Sequence, residues 1–105
     1  MRKERQLTSK QRAYLKSISS TYEPVIQIGK GSITPEVCEA VSEALSAREL
    51  IKISVLKNCA DDPREVAAIL SERTRSQTVH VIGRKIVLFR QNTKKEDQKI
   101  KLPVG

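Results

Sequence analysis

Val25-Ile26-Gln27-Ile28-Gly29-Lys30-Gly31-Ser32-Ile33-Thr34-Pro35-Glu36 is the stretch that decides the fold. It begins with an apolar run that reads as a short strand. It ends as a helix start, with Thr34 as N-cap, Pro35 in the first helical position and an acid, Glu36, in the first turn. Between them a lysine stands between two glycines. At the exit of a strand, backbone N–H groups can turn outward there and a negative oxygen can come close. Glycine permits that approach because it has no Cβ and tolerates positive φ. In a basic chain the expected visitor is a phosphate of a nucleic acid.

Outward from this stretch, the chain alternates helix and strand. Upstream, Thr8-Ser9-Lys10-Gln11 fits a capping box and predicts a first helix to about Ser19. Leu7, Tyr14, Leu15, Ile18 and Tyr22 fall on its apolar side. Lys10, Arg12 and Lys16 occupy the other faces, and Glu23-Pro24 breaks the helix. Downstream, Ile33, Val37, Ala40, Val41, Ala44 and Leu45 form the stripe of the second helix. Residues 50–56 alternate, with Ile51, Ile53 and Val55 on one face and Lys52 and Ser54 on the other. Asp62-Pro63-Arg64-Glu65 starts a third helix that ends near Arg73, with Val66, Ile69 and Leu70 facing inward. Residues 78–82 and 86–90 are two more strands, joined by Gly83-Arg84-Lys85 in a hairpin. The order is α-β-α-β-α-β-β. This is an α/β chain, with a four-stranded mixed sheet packed with three helices. Apolar residues at both parities of several strands require cover on both sheet faces. The second and third helices can supply one cover, and part of the first helix the other.

A length of 105 residues sets one domain. We expect a flexible N-terminus over residues 1–6, a folded domain over 7–91 and a disordered basic tail over 92–105. The net charge of +8 is segregated. Residues 1–34 and 76–105 each carry a net of +5, and residues 35–75 a net of −2. Such segregation points to a polyanionic partner. No apolar run approaches the roughly 20 residues of a membrane span. The first residues do not read as a secretion signal, so a cytoplasmic protein is expected; separately, we expect a monomer. Cys38 and Cys59 are too few for a disulfide framework or a zinc site.

The residues offer little to an enzyme. His80 is the only histidine and, between Val79 and Val81 on a strand, should point away from both. Asp62 is accounted for as a helix cap. No nucleotide-binding glycine motif is complete. We therefore expect no catalysis, no metal, no cofactor and no small-molecule substrate. Four features favour a phosphate-binding surface. They are the turn Gly29, Lys30, Gly31 and Ser32; the cations Lys10, Arg12 and Lys16 of the first helix; Arg84 and Lys85 at the hairpin; and the total charge. Tyr14, Tyr22 and Phe89 all read as core, which leaves few rings for stacking bases. Contacts mainly to phosphates and sugars follow, with weak base discrimination.

Three further runs carry a resemblance. Residues 7–15, residues 23–31 and Arg48-Glu49-Leu50-Ile51-Lys52-Ile53 together resemble the CRM domain, most closely the single-domain bacterial YhbY-like proteins. Val81-Ile82-Gly83-Arg84 followed by Val87-Leu88-Phe89-Arg90 matches that family's closing hairpin. The resemblance implies an RNA-binding domain similar in fold to the carboxyl-terminal domain of bacterial translation initiation factor three. It implies ribosomal RNA in large-subunit precursors as the partner, and assistance to ribosome assembly as the role. The family's GxxG loop maps onto Gly29, Lys30, Gly31 and Ser32, with Ser32 in place of the last glycine. Arg75 stands near another position where the family often has glycine. The alternative is a non-catalytic adaptor that binds a ribosomal protein along the acidic edge of the second helix, Glu36, Glu39 and Glu43.

Overall fold

Every helix begins on a side chain that satisfies its own first turn. In the computed structural model, which describes residues 6–94, 96 and 98–104, α1 spans Ser9–Ser19. Thr8 Oγ1 accepts from Gln11 N, and Gln11 Oε1 accepts from Thr8 N, both at 3.1 Å. This is the expected capping box. Helix α2 spans Pro35–Arg48, with Thr34 Oγ1 accepting from Val37 N. Helix α3 spans Pro63–Thr74, with Asp62 Oδ1 accepting from Arg64 N. Each such cap is worth about 1 kcal/mol.

The strands are β1 (Ile26–Ile28), β2 (Leu50–Val55), β3 (Gln77–Ile82) and β4 (Lys85–Phe89). They form one four-stranded sheet in the order β1-β2-β4-β3. β1 runs parallel to β2, while β4 is antiparallel to both β2 and β3. The α/β class, the element order and the mixed sheet are those expected from the sequence. The hairpin needs only two turn residues. Gly83 takes φ +59° at the first of them, a conformation that costs glycine nothing.

Side-chain alternation divides the core in two. Ile28, Ile51, Ile53, Val55, Ile86 and Leu88 pack under α2 and α3 with Val41, Leu45, Val66 and Leu70. Each full burial of this kind stabilises by roughly 1.5–3 kcal/mol. In α3, Ala67 turns inward while Ile69 stays part-exposed. The opposite face holds a smaller cluster, Leu15 of α1 with Leu50, Val79, Val87 and Phe89. An eleven-residue helix covers only part of that face.

The chain beyond β4 departs from the expected disordered tail. Ile100 and Leu102 pack against the smaller cluster, and Gln11 Nε2 donates to Pro103 O at 3.0 Å. Glu49, at 0% exposure, accepts from the backbone N–H groups of Asn92, Lys99 and Ile100 at 2.7–2.9 Å. It sits at the end of α2 with φ +68°, a strained value for a non-glycine residue. Its three acceptor contacts offset that strain. The physical reason for the correction is that α1 leaves apolar surface open, and two apolar residues in an otherwise polar tail are enough to cover it. The expectation for residues 1–6 falls outside the described residues except at Gln6. Among the described residues, no helix is long and apolar enough to cross a membrane.

Candidate nucleic-acid interface

Parallel strands β1 and β2 end on the same edge of the sheet, and the chain passes from each into a helix that starts there. Open α/β sheets bind ligands outside the carboxyl ends of such strands. The turn over residues 29–32 occupies this edge, closed by Ser32 N donating to Gly29 O at 2.9 Å. Lys30 and Gly31 are exposed.

The two glycines do different jobs. A Cβ on Gly29 would lie 3.3 Å from Asn58 Oδ1 and 3.6 Å from Leu56 Cδ1, so the following loop packs tightly against it. A Cβ on Gly31 would meet only Thr34 Cγ2 at 3.8 Å, an ordinary contact. Neither glycine has positive φ. That conformation falls on Ser32, at φ +54°. Ser32 Oγ donates to Asp61 Oδ2 at 2.5 Å and accepts weakly from Cys59 Sγ at 3.5 Å. The serine thus holds a glycine-like conformation by tying its side chain to the loop after β2.

Arg84 joins this corner. Its Nε donates to Val55 O at 2.9 Å and its Nη2 to Leu56 O at 2.8 Å. Leu56 N in turn donates to Ile28 O. The hairpin, the end of β2 and the glycine turn are therefore one connected unit, although Arg84 spends part of its guanidinium on the protein itself. Lys85, opposite Ser54 and Ile82, lies on the sheet face toward α1.

The first-helix cations are placed elsewhere. The start of α1 is tied to the start of β3 by Leu7 N donating to Gln77 Oε1. That is the far end of a strand about 17 Å long from the Gly83 turn. Lys10 is exposed in this first turn. Arg12 is half-buried and its Nη1 donates to the carbonyls of Thr78 and Val79. Lys16, one turn on, faces the sheet beside Lys52 and His80. The sequence reading of one cradle thus resolves into a corner (Gly29, Lys30, Gly31, Ser32 and Arg84) and a separate set along α1.

Two expectations about rings change. Tyr14 is 40% exposed and Tyr22 37% exposed. Leu15 and Ile18 already fill the contact of a short helix, so neither tyrosine is needed in the core. His80 does not point away from Val79. The register of β3 against β4 shifts between Thr78 and His80, which inserts Val79 as an extra residue. Val79 packs with Leu15 and Phe89, and His80 is paired opposite Val87 of the same cluster. Both side chains therefore share the α1 face, as a bulge allows. Arg12 satisfies the carbonyls at this bulge. Nothing in the spacing of Val79-His80-Val81 announces it. Lys52 was legible as the polar side of its strand, yet its proximity to Lys16 comes only from the packing of α1.

The sequence profile of the CRS1/YhbY (CRM) domain matches residues 7–90. The chain belongs to the CRM family. It is 44% identical over 97 residues to the "Probable RNA-binding protein YqeI" of Bacillus subtilis (strain 168), covering 92% of this chain and 99% of that one. It is 30% identical over 97 residues to a protein of Haemophilus influenzae named "RNA-binding protein", covering 92% and 95%. The solution structure of the hypothetical protein SAV1595 from Staphylococcus aureus superposes with a TM-score of 0.76 at 43% identity, over 93% of this chain and 100% of that one. Ser32, which the resemblance sets in place of the last glycine of the GxxG pattern, is the positive-φ serine described above. Arg75, the second departure, also has positive φ, +57°, at the end of α3.

Proposed function

We propose that this protein binds RNA without catalysis, that its glycine corner carries the sugar-phosphate chain, and that its RNA is ribosomal, in precursors of the large subunit. The observation that carries the reading is Gly31. Its φ is ordinary and its Cβ position is open, so glycine there serves nothing in the fold. What it leaves is bare backbone beside an exposed lysine. A phosphate fits that surface. The N-termini of α2 and α3 on the same edge add partial positive charge. Arg84 extends the corner, and Lys10, Lys16, Lys85 and Arg12 add to the general field. The names of the relatives support RNA as the ligand.

Lys30→Ala tests the corner. We expect weaker binding across RNA sequences and a salt slope lower by about one. An unchanged slope removes Lys30 from the interface. Sedimentation of cell extract addresses the ribosomal part, with the protein expected in large-subunit precursor fractions and stripped from them by high salt. The adaptor reading draws on Glu36, Glu39 and Glu43, all exposed on α2. An adaptor would keep its protein partner after ribonuclease treatment, and an RNA-binding protein would not.

A further inference from the structure

The uncovered part of the α1-side sheet face holds a groove of about 330 Å³. Val87 and Ile82 line it from the sheet, and Ile82 is 60% exposed. Lys52 and His80 also rise from strands, while Lys16 and Ser20 come from α1 and its end. No acid stands among the lining residues. Lys16 of α1 and Lys52 of β2 both stand in this lining beside His80. Like charges gathered on one face cost the free protein energy and favour an anionic ligand. An apolar floor adds nothing to a bare phosphate site, but it suits the flat face of a base. Histidine is among the side chains on which unpaired bases stack. The volume lies at the small end of pockets that hold a small ligand, which fits one nucleotide rather than a helix.

We propose that this groove seats one unpaired nucleotide of the bound RNA, with its phosphate between Lys16 and Lys52 and its base on Ile82 and Val87 against the His80 ring. The proposal rests on the RNA-binding reading above and adds a base-contacting site to it. The bulge is what makes the site, because it turns His80 onto the same face as Val79. Arg12 acts as a positioning residue through the carbonyls of Thr78 and Val79. Paired RNA hides its bases in the stack, so the groove distinguishes unpaired from paired strands.

The test compares a short labelled oligouridylate with a fully paired, blunt-ended RNA duplex on the full chain. Ile82→Ser and Lys52→Gln, at surface positions, should each weaken oligouridylate binding by about five- to tenfold. Binding of the duplex should change less than about twofold. Lys30→Ala should weaken both. As a second readout, His80 is the sole histidine, so its ring NMR signals are identified directly. Uridine monophosphate should shift them, and inorganic phosphate at equal concentration should shift them much less. Equal shifts by both ligands, equal weakening of both RNAs, or intact oligouridylate binding in both groove variants would overturn the proposal. If the wild-type chain binds neither RNA, the RNA-binding reading itself fails, a result distinct from failure of the groove alone.

Discussion

The glycine corner and the α1 groove are both basic, yet they are built in different ways. The corner consists of the ends of two parallel strands and the turns that follow, held by contacts such as Ser32 with Asp61 and Arg84 with Leu56. Its central residues, 29–32, are contiguous. The groove draws Lys16, Lys52 and His80 from a helix and two strands, and depends on one inserted residue, Val79. The difference teaches that a backbone cradle can be encoded locally, whereas a side-chain pocket needs the whole packing arrangement. It also divides the chemistry. The corner offers bare backbone and one exposed lysine, which suit a sugar-phosphate chain of any sequence. The groove offers an apolar floor and an imidazole, which suit a base.

The strongest way to separate the two regions is Arg12→Ala. It removes the donor from two carbonyls at the bulge, and hydrogen bonds from charged groups are worth about 1.5–3 kcal/mol. Urea unfolding should show a loss of about 2 kcal/mol. Oligouridylate binding at the groove should fall with it, while the salt slope due to Lys30 persists. A stable variant with intact base binding would show that the bulge holds without Arg12.

Gly31→Val probes the other side of the comparison. The open Cβ position predicts an unchanged melting temperature, and blocked backbone approach predicts about tenfold weaker RNA binding, or about 1.4 kcal/mol. This loss should exceed that of Lys30→Ala. Wild-type affinity in a variant that melts normally would remove the backbone from the interface.

Ser32 gives a smaller effect with a definite sign. Ser32→Ala and Ser32→Gly both lose the bond to Asp61, but only alanine keeps the cost of positive φ. The glycine variant should be more stable by about 1 kcal/mol, measured by thermal or urea unfolding. Equal stabilities would mean that the turn relaxes out of the αL conformation.

The smallest effect is the pH response of the groove. Burial first, then the charges of Lys16 on α1, Arg64 on α3 and Lys52 on β2, hold the His80 imidazole below its ordinary 6.5. The unfolded chain therefore binds this proton more readily than the folded one. The His80 contribution is fully present above pH 6.5 and declines as pH falls from there to the lower folded value. His80→Gln should flatten that part of the stability profile. An unchanged profile would place the titration elsewhere.

Much of the fold was legible because its signals are local. Thr8 with Gln11, Thr34 with Pro35, and Asp62 with Pro63 each fix a helix start within a few residues, and alternation along residues 50–56 announces the strand observed at Leu50–Val55. The turn at Gly29, Lys30, Gly31 and Ser32 was readable for the same reason, down to the odd serine at its end. What the sequence hid was any feature that needs two distant segments. The tail read as polar and frayed because Glu49 and Ile100 are far apart in the chain. Tyr14 read as core because a helical stripe does not say how much of it will be covered. Arg12 read as a surface cation because its carbonyl partners on β3 come from 66 and 67 residues away.

By itself, then, the sequence determined the element order, the caps, the basic ends and the glycine-lysine turn, since each depends on backbone preference and side-chain spacing within a few residues. Only the tertiary structure decided which cations stand together, that the chain after β4 straps across the smaller core, and that His80 faces α1. Those outcomes depend on how much apolar surface a short helix leaves uncovered and on a single inserted residue that shifts the alternation of an edge strand.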